Sequence, residues 1–242
     1  MYNKTLYFLK KQDLVRGAFW RLRSIFLKLS FRSREKGVYQ GKNIQIIGLD
    51  KVKIGKGSSL GDYLWLNVDN KGHRDKTTTV EIGEYSNIGR NNFITVGDKL
   101  TIGNYFFSSC YCSIIGASHQ SSDPFVPYII ADVVDLGAGI SIGTNVFMGA
   151  HSMVVGSVNI GFGSIIGAGA LVNNDIPPLS VVVGNPGKVV RRYSIEKEKW
   201  VEVNELIETD MIGEDEYLKM IQQNHPSVAT AYHAATERMG WL

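Results

Sequence analysis

The sequence predicts a mainly β protein built as a parallel solenoid, and three observations carry that prediction. Aliphatic residues recur at every sixth position: Leu136, Ile142, Met148, Val154, Ile160, Ile166 and Val172. The residue after each is glycine at five of the seven steps, and a companion series (Ile140, Val146, Ser152, Val158, Ser164, Ala170) is apolar or small throughout. Glycine is also abundant, 26 against 6 prolines, but spaced rather than clustered, which excludes collagen and a flexible linker. Helices repeat every 3.6 residues and half-buried strands every 2, so neither yields a period of six. Short strands joined by tight turns do, when their inward side chains stack coil upon coil.

Residues 1–36 carry a charge of +8 and read as a helical extension. Within "LVRGAFWRLRSIFLKLSFRSREK", Val15, Phe19, Leu22, Phe26 and Leu29 share one helical face. Such a helix either caps the open end of the solenoid, its charge answering an acidic tail, or lies on an anionic membrane surface. Its charges interrupt any signal-peptide core, and no apolar run is long enough to predict a membrane span.

Residues 37–192 form the expected solenoid. The clock starts at Ile54-Gly55 and Leu60-Gly61 and continues through Ile82-Gly83, Ile88-Gly89 and Ile94. After a two-residue slip come Ile102-Gly103, Ser108 and Ile114. Two stretches interrupt it, 67–79 and 116–133, and insertions in a solenoid must leave as surface loops, a common place for function. Residues 193–242, at −6, read as an acidic helical extension. Trp200, Val203, Leu206 and Ile207 suggest one helix, Gly213 breaks it, and "EDEYLKMIQQNHP" suggests a second with acids in its first turn. No chemistry is expected in this tail. His225 and His233 read as surface or packing residues.

Excess positive charge is confined to the N-terminus, so nucleic-acid binding has little support. The two cysteines, Cys110 and Cys112, are placed awkwardly for a disulfide and too few for a zinc site, which points to a reduced, cytoplasmic protein.

The run "ISIGTNVFMGAHSMVVGSVNIGFGSIIGAGALVNNDIPPLSVVVGNPGKVVRR" (140–192) is similar, almost residue by residue, to the signature of sugar O-acetyltransferases among the hexapeptide-repeat acyltransferases. The resemblance covers about 37–192. It implies a left-handed β-helix, a homotrimer with active sites between subunits, and acetyl-CoA as co-substrate without a metal. His119, in the extruded stretch 116–133, matches the family's catalytic histidine. Its implied task is to take the proton of a sugar hydroxyl as that hydroxyl attacks the thioester, which suits a pKa near neutrality. Backbone amides around Met148–Ala150 would hold the oxyanion.

Further positions carry over singly. Asn92 and Asp98 match residues that contact acceptor hydroxyls, while a turn role for each is equally open. Phe147 stands where many relatives have Trp, keeping an aromatic wall without its N–H. His151 either lines the cleft or serves a coil corner, and Asp123 is a candidate to orient His119. Gly149, Ala150, Ala168 and Asn173 match positions along the pantetheine arm. Lys188, Arg191 and Arg192 would meet the coenzyme A phosphates, against a plain reading as a solvated basic exit.

The expected function is acetyl transfer to a sugar hydroxyl of a bacterial surface polysaccharide, capsule or O-antigen, or of its lipid-linked precursor. Acetylation of an amino sugar is the near alternative, although such enzymes commonly place a nucleotide-binding segment before the solenoid and residues 1–36 are too short for one. A zinc carbonic anhydrase would need three convergent histidines, and His73, His119 and His151 lack the required close pair. A non-catalytic scaffold is the third class, and the loop histidine and aromatic wall argue against it.

Overall fold

A computed structural model describes residues 33–34, 37–70, 78–205 and 212–228. Short strands stack in register into three sheets, the three faces of a left-handed parallel β-helix, as the hexads and the resemblance lead one to expect. Sheet I contains Val52–Ile54, Thr79–Ile82, Lys99–Ile102, Ile140–Ile142 and Val158–Ile160. Sheet II runs through Tyr39–Gln40, Ser59–Leu60, Asn87–Ile88, Phe107–Ser108, Phe147–Met148 and Ile165–Ile166. Sheet III runs from Gln45–Ile47 through Trp65–Asn67, Phe93–Thr95, Ser113–Ile115 and Met153–Val155 to Leu171–Val172. Each coil visits the sheets in that order, so three hexads bring the chain back above itself. Ile142 pairs with Ile160, Met148 with Ile166 and Val154 with Val172.

The clock residues point inward. Ile142, Met148, Val154, Ile160, Ile166 and Val172 are all nearly inaccessible, and so is the companion row from Ile140 to Ala170. Burying each large aliphatic among them contributes about 1.5–3 kcal/mol before chain entropy is counted. Leu136 is the exception, half-buried because it lies at the root of the extruded segment.

The glycines and the corner residues divide the work of turning. A Cβ on Gly143 would lie 2.6 Å from the Phe162 amide nitrogen of the next coil, so these glycines permit close stacking. The left-handed backbone falls two residues after such glycines, at Tyr63, Tyr85, Asn91, Tyr105, Asn145 and His151, with φ of 51–60°.

All the interruptions leave from one corner, between sheets III and I. The two-residue slip separates Thr95 from Lys99, and residues 71–77, with His73, lie outside the described residues. The longest insertion is ordered at its base, where Ala117–His119 pairs antiparallel with Val133–Asp135 to form a ribbon.

Two expectations about the ends need correction. Ser33–Arg34, placed in a helix by the hydrophobic pattern, pairs with Lys53–Ile54 and extends sheet I. Residues 1–32 lie outside the described residues, and the membrane and capping readings lie there with them. At the other end, Ser180–Val183 continues sheet II, then Lys188–Ser194 and Lys199–Glu202 add to it antiparallel. Trp200 is therefore in a strand, its ring edge-on to Tyr193 at 5.4 Å, and Val201 is buried beneath. Open backbone groups at the sheet edge outweighed the helical spacing. The second helix, α1, does form at Glu214–Asn224, with Glu214, Asp215 and Glu216 in its first turn.

Candidate active site

His119 stands on the ribbon, exposed to solvent. Its Nδ1 lies 3.0 Å from the carbonyl oxygen of Ala131, just before the returning strand. A carbonyl only accepts, so Nδ1 carries the hydrogen and, in the neutral ring, Nε2 keeps the lone pair. The ribbon itself thus fixes the ring and leaves Nε2 without a partner among the described residues. Asp123 does not orient it: its carboxylate accepts the Phe125 N–H at 2.9 Å, closing a local turn. The ribbon root is tight, because a Cβ on Gly97 would sit 2.2 Å from the Gly116 carbonyl oxygen. Asp98 is exposed beside that root.

The corner between sheets II and III holds a different set. Gly149 donates its N–H to Ile166, so that amide is spent on the coil ladder. The next amides outward, Ala150 and Ala168, have no hydrogen-bond partner among the described residues, while the Ala150 carbonyl accepts from Gly169. Two small residues with open N–H groups therefore stack along one corner, a surface that a linear amide-bearing chain can lie against. His151 occupies the same corner, its ring stacked on Tyr111 at 5.0 Å and 1°.

One predicted acceptor residue is not available to an acceptor. Asn92 is buried, donating to Ser108 Oγ at 2.6 Å and accepting the Cys112 N–H at 2.8 Å. Both bonds reach the next coil, so the side chain ties two coils together. Phe147 does face outward, half-exposed on sheet II and stacked on Phe107 with centroids 5.6 Å apart.

The predicted donor residues also separate. Asn173 lies at the corner between sheets III and I, bonded to Asn174. Lys188 and Arg192 lie four residues apart on one strand, roughly 13 Å at normal strand rise. Arg192 spends its guanidinium on the Pro178 carbonyl at 3.0 Å, and Arg191 faces Glu202 at 3.5 Å. Among the described residues, Lys188 alone of the three makes no such contact.

Sequence reasoning missed a pocket of ≈300 Å³ beside sheet II, at the corner between sheets II and III, lined by Tyr39, Asp62, Asn87, Arg90, Phe107 and Cys110 among others. Asn87 is 3% exposed, and its Nδ2 donates to Ser59 Oγ at 2.5 Å. Its Oδ1 is buried without a hydrogen bond, an arrangement that costs about 1–3 kcal/mol unless a donor reaches it. Burial, with the Asp62 carboxylate nearby, pushes the Tyr39 phenol up, so it remains a donor at neutral pH. Asn87 follows the hexad rhythm as an outward residue, and periodicity carries no signal for what an outward residue meets. Among the described residues no group of three or more His, Cys, Asp or Glu converges to hold a metal.

No model of a protein family matches the chain. Relatives are nonetheless evident. A Staphylococcus aureus protein provisionally named an acetyltransferase is 38% identical over 113 residues, 47% of this chain and 55% of its own length. A second from that species is 54% identical over 57 residues, 24% and 29% of the two chains. A Mycobacterium tuberculosis protein named a probable acetyltransferase is 26% identical over 180 residues, 73% of this chain and 57% of its own. The chain thus spans about half, or less, of the length of these relatives. Among solved structures, the N-acyltransferase AntD of Bacillus cereus, in complex with dTDP and 3-hydroxybutyryl-CoA, superposes with a TM-score of 0.58. That match covers 83% of this chain and 96% of AntD at 21% identity. It shows a shared fold, and the resemblance read from the hexapeptide repeat agrees with both comparisons.

Proposed function

We propose that this hexapeptide-repeat protein transfers acetyl from acetyl-CoA to a hydroxyl of a saccharide, with His119 as general base. The observation that carries the proposal is the ribbon. A chain that needed only a scaffold has no use for an extruded strand pair that fixes an exposed imidazole by its Nδ1–H and leaves Nε2 open. The similarity to proteins named as acetyltransferases supports acyl chemistry.

In this reading Nε2 takes the hydroxyl proton as the oxygen attacks the thioester carbonyl, and returns it to the departing thiolate. The oxyanion is held by the Ala150 N–H, rather than by Gly149, whose N–H is already bonded. The pantetheine arm lies against Ala150 and Ala168, and Lys188 meets a phosphate. The acceptor occupies the Asn87 pocket, where Oδ1 accepts from a sugar hydroxyl and Phe107 offers an apolar face. His119 and this pocket belong to different corners, with sheet III between them. We therefore infer a homotrimer in which each pocket is served by the histidine of a neighbouring copy. The acceptor class proposed is a surface polysaccharide or its precursor.

N-acetyl transfer is the second reading, favoured by the fold shared with an N-acyltransferase. Thiol release from acetyl-CoA, in the presence of a glycan extract from the encoding organism, separates the two. Loss of about 10²–10⁴-fold in His119→Ala, with acetyl recovered as an alkali-labile ester, is the result expected. Undiminished release by His119→Ala, or an alkali-stable product, would overturn it.

A further inference from the structure

The tail, in which the sequence shows no chemistry, forms one wall of a second, half-open pocket. Helix α1 is fastened to the corner between sheets I and II. The Glu214 carboxylate accepts the Thr144 N–H at 2.5 Å, and the Tyr217 hydroxyl accepts from Asn145 Nδ2 at 2.6 Å. Tyr217 also packs on Phe162 with centroids 4.9 Å apart. Tyr193 and Trp200 come from the two antiparallel strands that follow the last coil. Together with Phe147, Ile165 and Asn145 they line a half-open pocket of ≈400 Å³, within the ~300–1,000 Å³ usual for small-ligand sites.

Phe147 belongs to two surfaces at once. It walls this pocket and stacks on Phe107, which lines the Asn87 pocket. Asn87, Phe107, Phe147 and Ile165 are successive register partners on sheet II. The two pockets are thus ends of one outward row spanning three strand spacings, about 14 Å. Resting on the saccharide acceptor proposed above, we propose that this row is an aromatic track for an extended saccharide, so that the acceptor is an oligosaccharide or polymer rather than a single sugar. The chemistry selects such an occupant. No charged side chain among the described residues lines the tail pocket, so a phosphate finds no counter-ion there. Flat apolar rings with hydroxyl and amide groups at their edge, from Tyr193, Tyr217 and Asn145, match the C–H face and hydroxyl rim of a pyranose.

The test uses the full chain and size-graded fragments from a partial hydrolysate of the encoding organism's de-esterified surface polysaccharide. Binding is read by saturation-transfer NMR, which needs no turnover, and acetyl incorporation is read separately by mass. Fragments of several sugars should bind wild type more tightly than the monosaccharide. Trp200→Ala should weaken the long fragments about 3–10-fold, the scale of one ring contact, and more than it weakens the monosaccharide, while Trp200→Phe restores most of the difference. Equal affinity for all lengths, or equal loss across lengths in Trp200→Ala, overturns the track. A raised KM for acetyl-CoA with unaltered fragment binding assigns the pocket to the donor and also overturns it. Length-dependent binding without acetyl transfer would sink the proposed reaction while leaving the track standing.

Discussion

Asn92 decides between a structural and an acceptor-binding reading, and Asn92→Leu puts the decision to a measurement. Leucine keeps the branched shape and heavy-atom count, so no cavity opens, although its two methyl groups are bulkier than the amide oxygen and nitrogen and add some packing strain to the lost hydrogen bonds. The substitution strands the Cys112 N–H, whose bond to Asn92 Oδ1 is 2.8 Å long, in a site sealed from water. Ser108 Oγ loses one donor but keeps the Gly89 N–H at 3.0 Å. One fully orphaned amide and one weakened hydroxyl should together cost about 2–4 kcal/mol. For a domain of this size that is a fall of about 5–15 °C in Tm. Thermal and urea unfolding of both proteins measure it, and acceptor KM is read well below the transition. The expected pair is a lowered midpoint with a KM changed by less than about two-fold. An unshifted midpoint with a raised acceptor KM would refute the reasoning, since only a side chain that reaches the ligand could produce it.

Three other outcomes follow from the same geometry. Gly97→Ala places a methyl against the Gly116 carbonyl; the ribbon root must move, and kcat should fall more than about ten-fold, since small misplacements of a base are costly, with acetyl-CoA binding retained in a titration. Lys188→Ala should raise the acetyl-CoA KM about 2–5-fold, as an exposed charge contact allows, and should do so less at high salt, whereas Arg192→Ala should lower the unfolding midpoint through the lost Pro178 contacts and leave that KM alone. Burial pushes the Cys112 thiol up and keeps it neutral, so a thiol-titrating disulfide reagent at pH 8 should count one cysteine, Cys110, in the native protein and two after denaturation.

Much of the fold was legible in the sequence because a solenoid repeats one local solution. Ile142, Met148, Val154 and their successors had to point inward, since a period of six places equivalent side chains on top of one another and leaves them one dry direction. His119 could be singled out because a broken repeat is itself a signal. The Glu214–Asn224 helix was legible from its acidic first turn and its flanking Gly213 and Pro226. What the tertiary structure alone decided are matters of which outward residue meets what. The insertions share one corner, Ala131 rather than Asp123 holds the imidazole, and Arg192 turns to Pro178. The rhythm sets Asn92 inward, four residues after Ile88, and Asn87 outward, but only the structure shows that Asn92 bonds Ser108 and Cys112 and that Asn87 lines a pocket. Trp200 joins a strand because sheet II still had an open edge when the chain arrived there. Periodicity fixes the direction of a side chain relative to its own coil; its partners belong to distant coils, and only stacking brings them together.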